Sequence, residues 1–321
     1  MTTPSPKPPR IAAAIAAFRR DEELIRLFTT LASSTVPFDG GVFVADNAAS
    51  EETAAVCAAA PLPVTWLPRP ANNGPGAAWN AAVSAALADN SVTHVLVLDD
   101  DVVPPGDTAA LLLQAMGDSA AAAAPLLFDE KERLWAFPEP KSPALRRAIR
   151  RVHSLSECRT ALGPEPHPFC WATGACMLYA RRAFETGGFR EDFWMLGEDL
   201  EFSMRVASTL GGVFTASAAV AHLPPPGMPG NASMRNRLKF LALLQNLSYL
   251  AFHSPHGSHM RGYLPGNFKR YILVEDPAPA GLRDAWRTFW HGALRGRPAG
   301  HASGVHLRER VQRRMQRDQP E

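Results

Sequence analysis

Four short apolar runs alternate with helical patterns in the first hundred residues, and this alternation constrains the fold more than any other feature. The runs cover residues 11–18, 41–45, 64–67 and 93–98. Runs of this length fit buried strands, and strands that alternate with helices form parallel sheets. We therefore predict an α/β fold with a Rossmann-like, mostly parallel central sheet flanked by helices.

The segments between the runs carry helical signals. We expect Asp21 to cap a first helix, because an apolar stripe at helical spacing follows it, made of Leu24, Leu27, Phe28 and Leu31. A second helix is predicted from about Gly76 to Leu87, where small alanine side chains allow close packing on a sheet.

Polar residues follow each of the four predicted strands. In an open parallel sheet, ligands bind beyond the carboxyl ends of the strands, so these loops are expected to meet at one crevice. An aspartate can accept a hydrogen bond from a base or a ribose, and arginine can pair with phosphate. The residues concerned are Arg19, Asp46, Asn73 and the triplet Asp99, Asp100 and Asp101.

The acidic triplet at residues 99–101 directly follows the fourth run. Adjacent carboxylates repel one another unless a cation neutralises them, so a strand end of this kind suggests a cation site. The turn-like sequence after it, VVPPG, equally fits an acidic turn. Both interpretations stay open from the triplet alone.

The second half of the chain adds further candidate residues. Trp171 stands among small residues in FCWATGACMLY, predicted as a strand, and fits either core packing or a flat platform for a sugar ring. Glu198 and Asp199 open a predicted helix, where carboxylates favour the helix dipole or serve catalysis. His222 ends an apolar run and could complete a metal site begun by the triplet.

Taken in order, several motifs resemble glycosyltransferase family 2, whose members are inverting enzymes of the GT-A fold. The motifs are AAFRR at 16–20, VADNAA at 44–49, NNGPGAAWN at 72–80, LVLDDD at 96–101, the segment GGF…GEDLEFSMR and the later His222. The resemblance covers about residues 11–225 and rests on motif order. The triplet, Trp171, the Phe193 and Trp194 pair and His222 look most like the bacterial galactofuranosyltransferase and rhamnosyltransferase branches.

The resemblance implies a donor and a metal. Asp99 and Asp101, with Asp100 nearby, would bind the donor diphosphate through Mn²⁺ or Mg²⁺, and His222 would be the third protein ligand. Asp46 would contact the nucleobase, and Arg19 and Asn73 would line the nucleotide pocket. The donor would be a UDP- or dTDP-linked sugar such as galactofuranose or rhamnose.

The resemblance also implies an acceptor site. Asp199 would be the general base, with Glu198 as the alternative, and Trp171 and Trp194 would line the acceptor or sugar platform. The acceptor would be a hydroxyl of a glycan or a lipid-linked molecule, in cell wall or polysaccharide biosynthesis.

We divide the chain into a disordered tail at 1–10, a nucleotide-sugar half at 11–125, an acceptor half at 126–230 and a helical, basic C-terminal extension at 231–321. Residues 261–321 hold 12 Lys or Arg against 6 Asp or Glu. An apolar stripe there is bordered by arginines, and it fits packing against the catalytic domain or contact with a membrane surface. It consists of Leu282, Trp286, Phe289, Trp290 and Leu294.

Composition sets the remaining expectations. With 46% apolar and 20% charged residues, and no apolar run near the roughly 20 residues of a membrane-spanning helix, we expect a cytoplasmic globular protein, peripheral to the inner membrane face if the stripe binds lipid. No nucleic-acid partner is expected. Two competing functions are a catalytically silent sugar-nucleotide-binding scaffold and a phosphatase using the triplet.

Overall fold

The computed structural model describes residues 8–223, 232–255, 257–276 and 279–295. The chain forms two compact units. The sheet unit comprises residues 1–71, 78–188 and 202–224, and the helical unit comprises residues 72–77, 189–201 and 225–321. Most of the predicted N-terminal tail, the prolines at 224–226 and the polar end beyond Ala299 lie outside the described residues.

All described strands belong to the sheet unit. They are β1 Ile11–Ala17, β2 Val42–Asp46, β3 Val64–Pro68, β4 His94–Asp99, β5 Val102–Val103, β6 Ala122–Phe128, β7 Leu134–Ala136, β8 Glu139–Pro140, β9 His167–Trp171, β10 Cys176–Ala180 and β11 Gly212–His222.

The helices follow in chain order. They are α1 Asp21–Ala32, α2 Glu51–Ala58, α3 Pro75–Leu87, α4 Thr108–Met116, α5 Pro143–Ile149, α6 Leu155–Leu162, α7 Glu198–Thr209, α8 Ala232–His253, α9 Gly257–Arg261, α10 Leu264–Arg270 and α11 Pro279–Arg295, with a 3₁₀ turn at Arg181–Thr186 and a π-helical turn at Tyr271–Glu275.

The main strand order is β3-β2-β1-β4-β10-β6-β11-β9-β8, with β5 paired to β11 and β7 paired to β6. The first four strands are parallel, as predicted from the apolar runs. Beyond β4 the sheet is mixed, because β10 runs antiparallel to both of its neighbours and β6 and β11 are again parallel. The α/β class with helices around a central sheet is therefore confirmed.

The interior strand β1 explains how helices pack closely on this sheet. Every residue of its sequence IAAAIAA is buried, and small alanine side chains leave room for the layers on both faces. The predicted stripe of α1 is buried as well, at Leu24, Leu27, Phe28 and Leu31.

Two local predictions were wrong. Asp21 does not cap α1: the cap position is Arg20, and Asp21 is the first helical residue, accepting a hydrogen bond of 2.8 Å from Thr53 Oγ1. Residues 169–179 do not form one strand, because residues 172–175 separate β9 from β10.

The described part of the helical unit is built around α8 and α11. The two helices pack closely where Gly292 meets the backbone of Gln245, since a Cβ on Gly292 would lie 2.3 Å from that carbonyl oxygen. Gln245 Nε2 and His291 Nδ1 form a hydrogen bond of 2.7 Å between the same helices. Among the described residues, no helix combines the length and the apolar character needed to cross a membrane.

Candidate metal and sugar-nucleotide site

Strand pairing brings His222 to the acidic triplet. Strand β5 begins directly after Asp101 and runs antiparallel to the end of β11, so that Val102 lies opposite His222. One residue further, the Leu223 N–H donates a 2.8 Å hydrogen bond to the Asp101 carbonyl oxygen. A two-residue strand therefore joins segments that are far apart in sequence.

Asp99, Asp101 and His222 form a cluster whose ligand atoms all lie within 4.8 Å of one another. Asp101 and His222 are buried, at 3% and 6% exposure. Asp101 Oδ1 is buried, accepts no hydrogen bond from the described residues, and lies 3.3 Å from His222 Nε2. A buried carboxylate oxygen without a donor, beside a second carboxylate and an imidazole, fits the ligands of Mn²⁺ or Mg²⁺.

Arg20 neutralises the other side of the triplet. Its Nη1 atom donates to Asp100 Oδ1 at 2.8 Å and also to Asp101 Oδ2. Burial lowers the pKa of Arg20, but the charges of Asp100, Asp101 and Asp99 outweigh it, so the net pKa is raised. Arg20 thus engages the Asp101 oxygen opposite to the one that faces His222. The sequence analysis assigned no role to Arg20, and the role expected of Arg19 in the nucleotide pocket stays a prediction.

The central aspartate of the triplet is held inside the protein. Asp100 accepts from the Phe18 N–H at 3.0 Å through Oδ2, while Oδ1 accepts from Arg20. Burial is the largest influence on this carboxyl and raises its pKa to about 7, aided by the charge of Asp101 and opposed by Arg20. Asp100 therefore ties the triplet to the end of β1.

Trp135 covers the imidazole of His222. The two rings stack with centroids 3.8 Å apart and planes inclined by 19°. Trp135 lies on β7, which pairs with β6 and is joined on its other side through a hydrogen bond from Leu134 N to His153 O. A three-residue strand carries too little periodicity to be recognised in sequence, so Trp135 was missed.

Asp46 organises the loop after β2. It is fully buried, and its oxygens accept hydrogen bonds from Ala48 N, Ser50 N and Trp66 Nε1 at 2.8, 2.9 and 3.3 Å. The Arg69 N–H donates to its carbonyl oxygen, which connects the loops after β2 and β3. These two loops are neighbours at the carboxyl edge of the parallel strands, as predicted.

The remaining predicted residues of the sheet unit lie at strand ends. Arg19 is exposed, adopts a positive φ of 54°, and has its guanidinium carbon 5.4 Å from the centroid of the Phe18 ring. Trp171 is half-buried at the end of β9, opposite Glu139 of β8.

Asn73 and Trp194 belong to the helical unit. Asn73 is half-buried in a turn closed by a 3.0 Å hydrogen bond from Gly74 N to Asn72 Oδ1. Gly74 has a φ of +90°, and a Cβ there would lie 1.9 Å from the Trp194 carbonyl oxygen. The close approach that glycine permits at this position is therefore to the backbone of Trp194.

The two candidate bases occupy the first turn of α7, also in the helical unit. Glu198 is buried, at 2% exposure. Its side chain lies close to Gly76, since a Cβ placed on Gly76 would be 3.2 Å from Glu198 Cγ. Asp199 is half-buried, and its Oδ1 accepts from Leu200 N at 2.8 Å. The two neighbouring carboxylates thus differ in access to solvent.

The four cysteines are free thiols and add no metal site. Burial raises the pKa of Cys57 to about 12 and that of Cys158 to about 11. In the part of the chain that the structure describes, the Asp99, Asp101 and His222 cluster is the one group of three or more such side chains close enough to hold a metal ion.

Solved glycosyltransferase structures share this fold. GalNAc-T7 with UDP, GalNAc and Mn²⁺ has a TM-score of 0.57 at 12% identity, over 98% of this chain and 59% of that chain. The mannosyltransferase PcManGT from Pyrobaculum calidifontis, with GDP-Man and Mn²⁺, has a TM-score of 0.53 at 17% identity, over 97% and 82%. S. aureus TarS 1-349 with UDP-GlcNAc has a TM-score of 0.56 at 14% identity, over 97% and 92%. The chain therefore spans less than two thirds of the GalNAc-T7 chain.

No curated protein sequence matches the chain. The sequence matches the family described as Glycosyl transferase family 2 over residues 13–188, which is more than half of its 321 residues. That segment contains most of β1, all of β2 to β4, the acidic triplet and Trp135. The chain belongs to glycosyl transferase family 2.

Proposed function

We propose that this protein is a metal-dependent, inverting glycosyltransferase. It moves a sugar from a nucleotide diphosphate donor to a hydroxyl of a glycan or lipid-linked acceptor. The observation that carries the proposal is the buried cluster of Asp99, Asp101 and His222, in which Asp101 Oδ1 accepts no hydrogen bond from the described residues. Family membership supplies the reaction class.

Asp99, Asp101 and His222 would hold Mn²⁺ or Mg²⁺, which stabilises the negative charge of the departing nucleoside diphosphate. Arg20 would keep Asp101 in place, because it holds the opposite carboxylate oxygen. The loop organised by Asp46, together with Arg19 and Asn73, would line the nucleotide pocket. In this proposal residues 11–125 serve the donor and residues 126–230 serve the acceptor.

Asp199 is the general base in this proposal. It would take the proton of the acceptor hydroxyl while the hydroxyl oxygen attacks the anomeric carbon from the side opposite the diphosphate, which inverts the configuration. Its greater access to solvent than Glu198 favours it for contact with an acceptor. Trp171 and Trp194 would offer flat apolar faces to the sugar rings.

The structural neighbours support a nucleotide-sugar donor without naming it. Their ligands are UDP with GalNAc, GDP-Man and UDP-GlcNAc, so both the base and the sugar differ among proteins of this fold. Within the family resemblance, a UDP- or dTDP-linked galactofuranose or rhamnose remains our proposed donor.

A thermal-shift screen of UDP-, dTDP- and GDP-sugars, with and without Mn²⁺, tests the proposal. One donor class should stabilise the protein only when Mn²⁺ is present. Asp101→Ala should lose that Mn²⁺-dependent shift, whereas Asp89→Ala, at an exposed ion pair with Arg10, should keep it. An unchanged shift in Asp101→Ala would reject the site.

Turnover assays separate the competing functions. Donor binding without transfer or hydrolysis would favour a silent sugar-nucleotide-binding scaffold. Release of phosphate from phosphomonoesters, without use of nucleotide sugars, would favour a phosphatase that uses the triplet.

We also propose that the C-terminal helices contact the inner face of the cell membrane. Five rings form a connected aromatic surface on the helical unit, with neighbouring centroids between 4.8 and 6.2 Å apart. Trp286 and Trp290 are 45% and 47% exposed. Arg283 and Arg287 are exposed on the same helix, and this combination fits anionic lipid headgroups. The aromatic surface consists of Phe252, Phe268, Trp286, Phe289 and Trp290.

A further inference from the structure

The backbone directly before the two candidate bases is strained. Leu196 has a φ of +63° and Gly197 a φ of +103°, and Glu198 begins α7 at the next residue. A left-handed conformation is unfavourable for leucine, because its Cβ comes too close to the following carbonyl oxygen. A turn of this kind persists only where surrounding contacts hold it in place, and such turns cluster at functional sites.

Asn246 of α8 supplies those contacts. Its side chain is fully buried, and Nδ2 donates to the Met195 and Leu196 carbonyl oxygens at 3.1 and 2.7 Å. The turn also packs directly on this side chain, since a Cβ on Gly197 would lie 3.3 Å from Asn246 Cβ. One amide group therefore binds two consecutive carbonyls at the start of the strained turn.

The segment 190–197 also contacts α8 at its other end, through Tyr249, which lies one helical turn after Asn246. Arg190 Nη1 donates to the Tyr249 hydroxyl at 3.1 Å, and its guanidinium carbon lies 4.8 Å from the centroid of the Tyr249 ring. Phe193 meets the same ring edge to face, with centroids 5.8 Å apart. Residues 190–197 are thus held at both ends by one face of α8.

We propose that Asn246 is a positioning residue for the carboxylates of Glu198 and Asp199. This proposal rests on the proposed function, because it takes one of these carboxylates as the base. By fixing the Met195 and Leu196 carbonyls ahead of α7, Asn246 sets the direction in which the first turn of that helix presents its side chains. The C-terminal extension then contributes to catalysis through a residue that acts on the backbone ahead of the base.

Two substitutions test the contact. Asn246→Ala removes both hydrogen bonds, and Asn246→Asp keeps the shape while placing an acceptor against the two carbonyl oxygens. Ser248→Ala is the matched control. The buried Ser248 hydroxyl donates a 2.6 Å hydrogen bond to the Leu244 carbonyl oxygen, so this contact stays within α8. Hydrogen exchange should rise at residues 195–200 in both Asn246 variants and stay unchanged in Ser248→Ala.

Kinetics with the donor that gives turnover in the screen test the catalytic role. Asn246→Ala should lower kcat by about tenfold to a hundredfold with an unchanged KM for the donor, because misplaced groups lose turnover rather than donor binding. In an Asp199→Asn background the same substitution should add less than about twofold, since both changes act through one group. An unchanged kcat, or parallel changes in kcat and KM, would overturn the proposal.

Failure of the base assignment can be distinguished from failure of the positioning role. Full activity of both Asp199→Asn and Glu198→Gln would reject the base of the proposed function whatever Asn246 does, and it would overturn the catalytic role of Asn246 as well. Loss of activity in Asp199→Asn with full activity in Asn246→Ala would overturn only the positioning role.

Discussion

The indole of Trp135 stacks on the imidazole of His222 at a centroid separation of 3.8 Å, and this contact fixes the plane of a candidate metal ligand. Trp135 itself is 45% exposed, so core packing does not account for it. Replacing residues that orient a metal ligand typically lowers metal affinity by about 10–100-fold.

Replacing Trp135 should therefore weaken metal binding. We expect Trp135→Ala to reduce the affinity for Mn²⁺ by about tenfold, measured by electron paramagnetic resonance of the free ion, because the imidazole loses its fixed plane. Trp135→Phe keeps a flat ring and should retain most of the affinity. Equal Mn²⁺ affinity in Trp135→Ala and the unmodified protein would show that the stacking has no such role.

Arg20 should contribute to stability through its bonds to Asp100 and Asp101. Arg20→Met leaves two buried carboxylates without their cation, a change that typically destabilises by about 3–5 kcal/mol. Urea unfolding should show this loss, and added Mn²⁺ should recover part of it, because a metal supplies positive charge at the same carboxylates. Arg20→Lys serves as the charge-preserving control. An unfolding midpoint that does not move in Arg20→Met would contradict the role assigned to this pair.

The base assignment predicts a split between binding and turnover. Asp199→Asn should keep the donor KM and lose about a hundredfold or more in kcat, since the amide cannot take the acceptor proton. Glu198→Gln is the companion variant, and it should retain more activity if Asp199 is the base. The reverse ranking in steady-state assays would transfer the role to Glu198.

Gly74 should tolerate no side chain. Gly74→Ala combines a φ of +90° with a contact of 1.9 Å to the Trp194 carbonyl oxygen, so we expect a loss of stability of at least about 1–3 kcal/mol. Gly266→Ala, where a Cβ meets nothing within 4 Å on helix α10, should instead be neutral or stabilising. Urea denaturation of both variants makes the comparison, and equal midpoints would refute it.

The aromatic surface should bind anionic membranes. Cosedimentation with vesicles of phosphatidylglycerol and phosphatidylcholine should fall by about tenfold or more in the Trp286→Ser, Trp290→Ser double variant. Both rings lose the exposed apolar area that they would bury in lipid, and about 1.4 kcal/mol of lost burial lowers the affinity tenfold. Ile25→Ala is the control, because it removes an apolar side chain that is 52% exposed on α1, outside the aromatic surface, and it should leave vesicle binding unchanged. Unchanged binding in the double variant would exclude this surface as the membrane contact.

Local sequence patterns predicted the parallel half of the sheet well. Apolar runs of four to eight residues that alternate with amphipathic segments leave few other ways to bury them, and the four runs became β1 to β4. The same logic placed Asp46 and the acidic triplet at one sheet edge, since polar residues after parallel strands share that edge. The α1 stripe was predicted correctly for an equally local reason.

Two local features could not be predicted from the sequence, because they depend on contacts that only the folded chain makes. Arg19 and Arg20 are adjacent and chemically equivalent in the sequence, and only the backbone conformation at the end of β1 decides that Arg20 pairs with the aspartates. Similarly, residues 169–179, which are mixed in polarity, were predicted as one strand, and the break between β9 and β10 follows from pairing with different neighbours in the sheet.

The sequence by itself determined the fold class, the family and the chemical types present at the candidate site, because these depend on local patterns and motif order. The tertiary structure decided which of those residues meet. His222 reaches Asp101 through the pairing of β5 with β11, Trp135 reaches His222 through β7, and Asn246 reaches the turn before Glu198 from α8. Each of these contacts joins segments distant in sequence, and their formation depends on the packing of the whole unit, which no local pattern records.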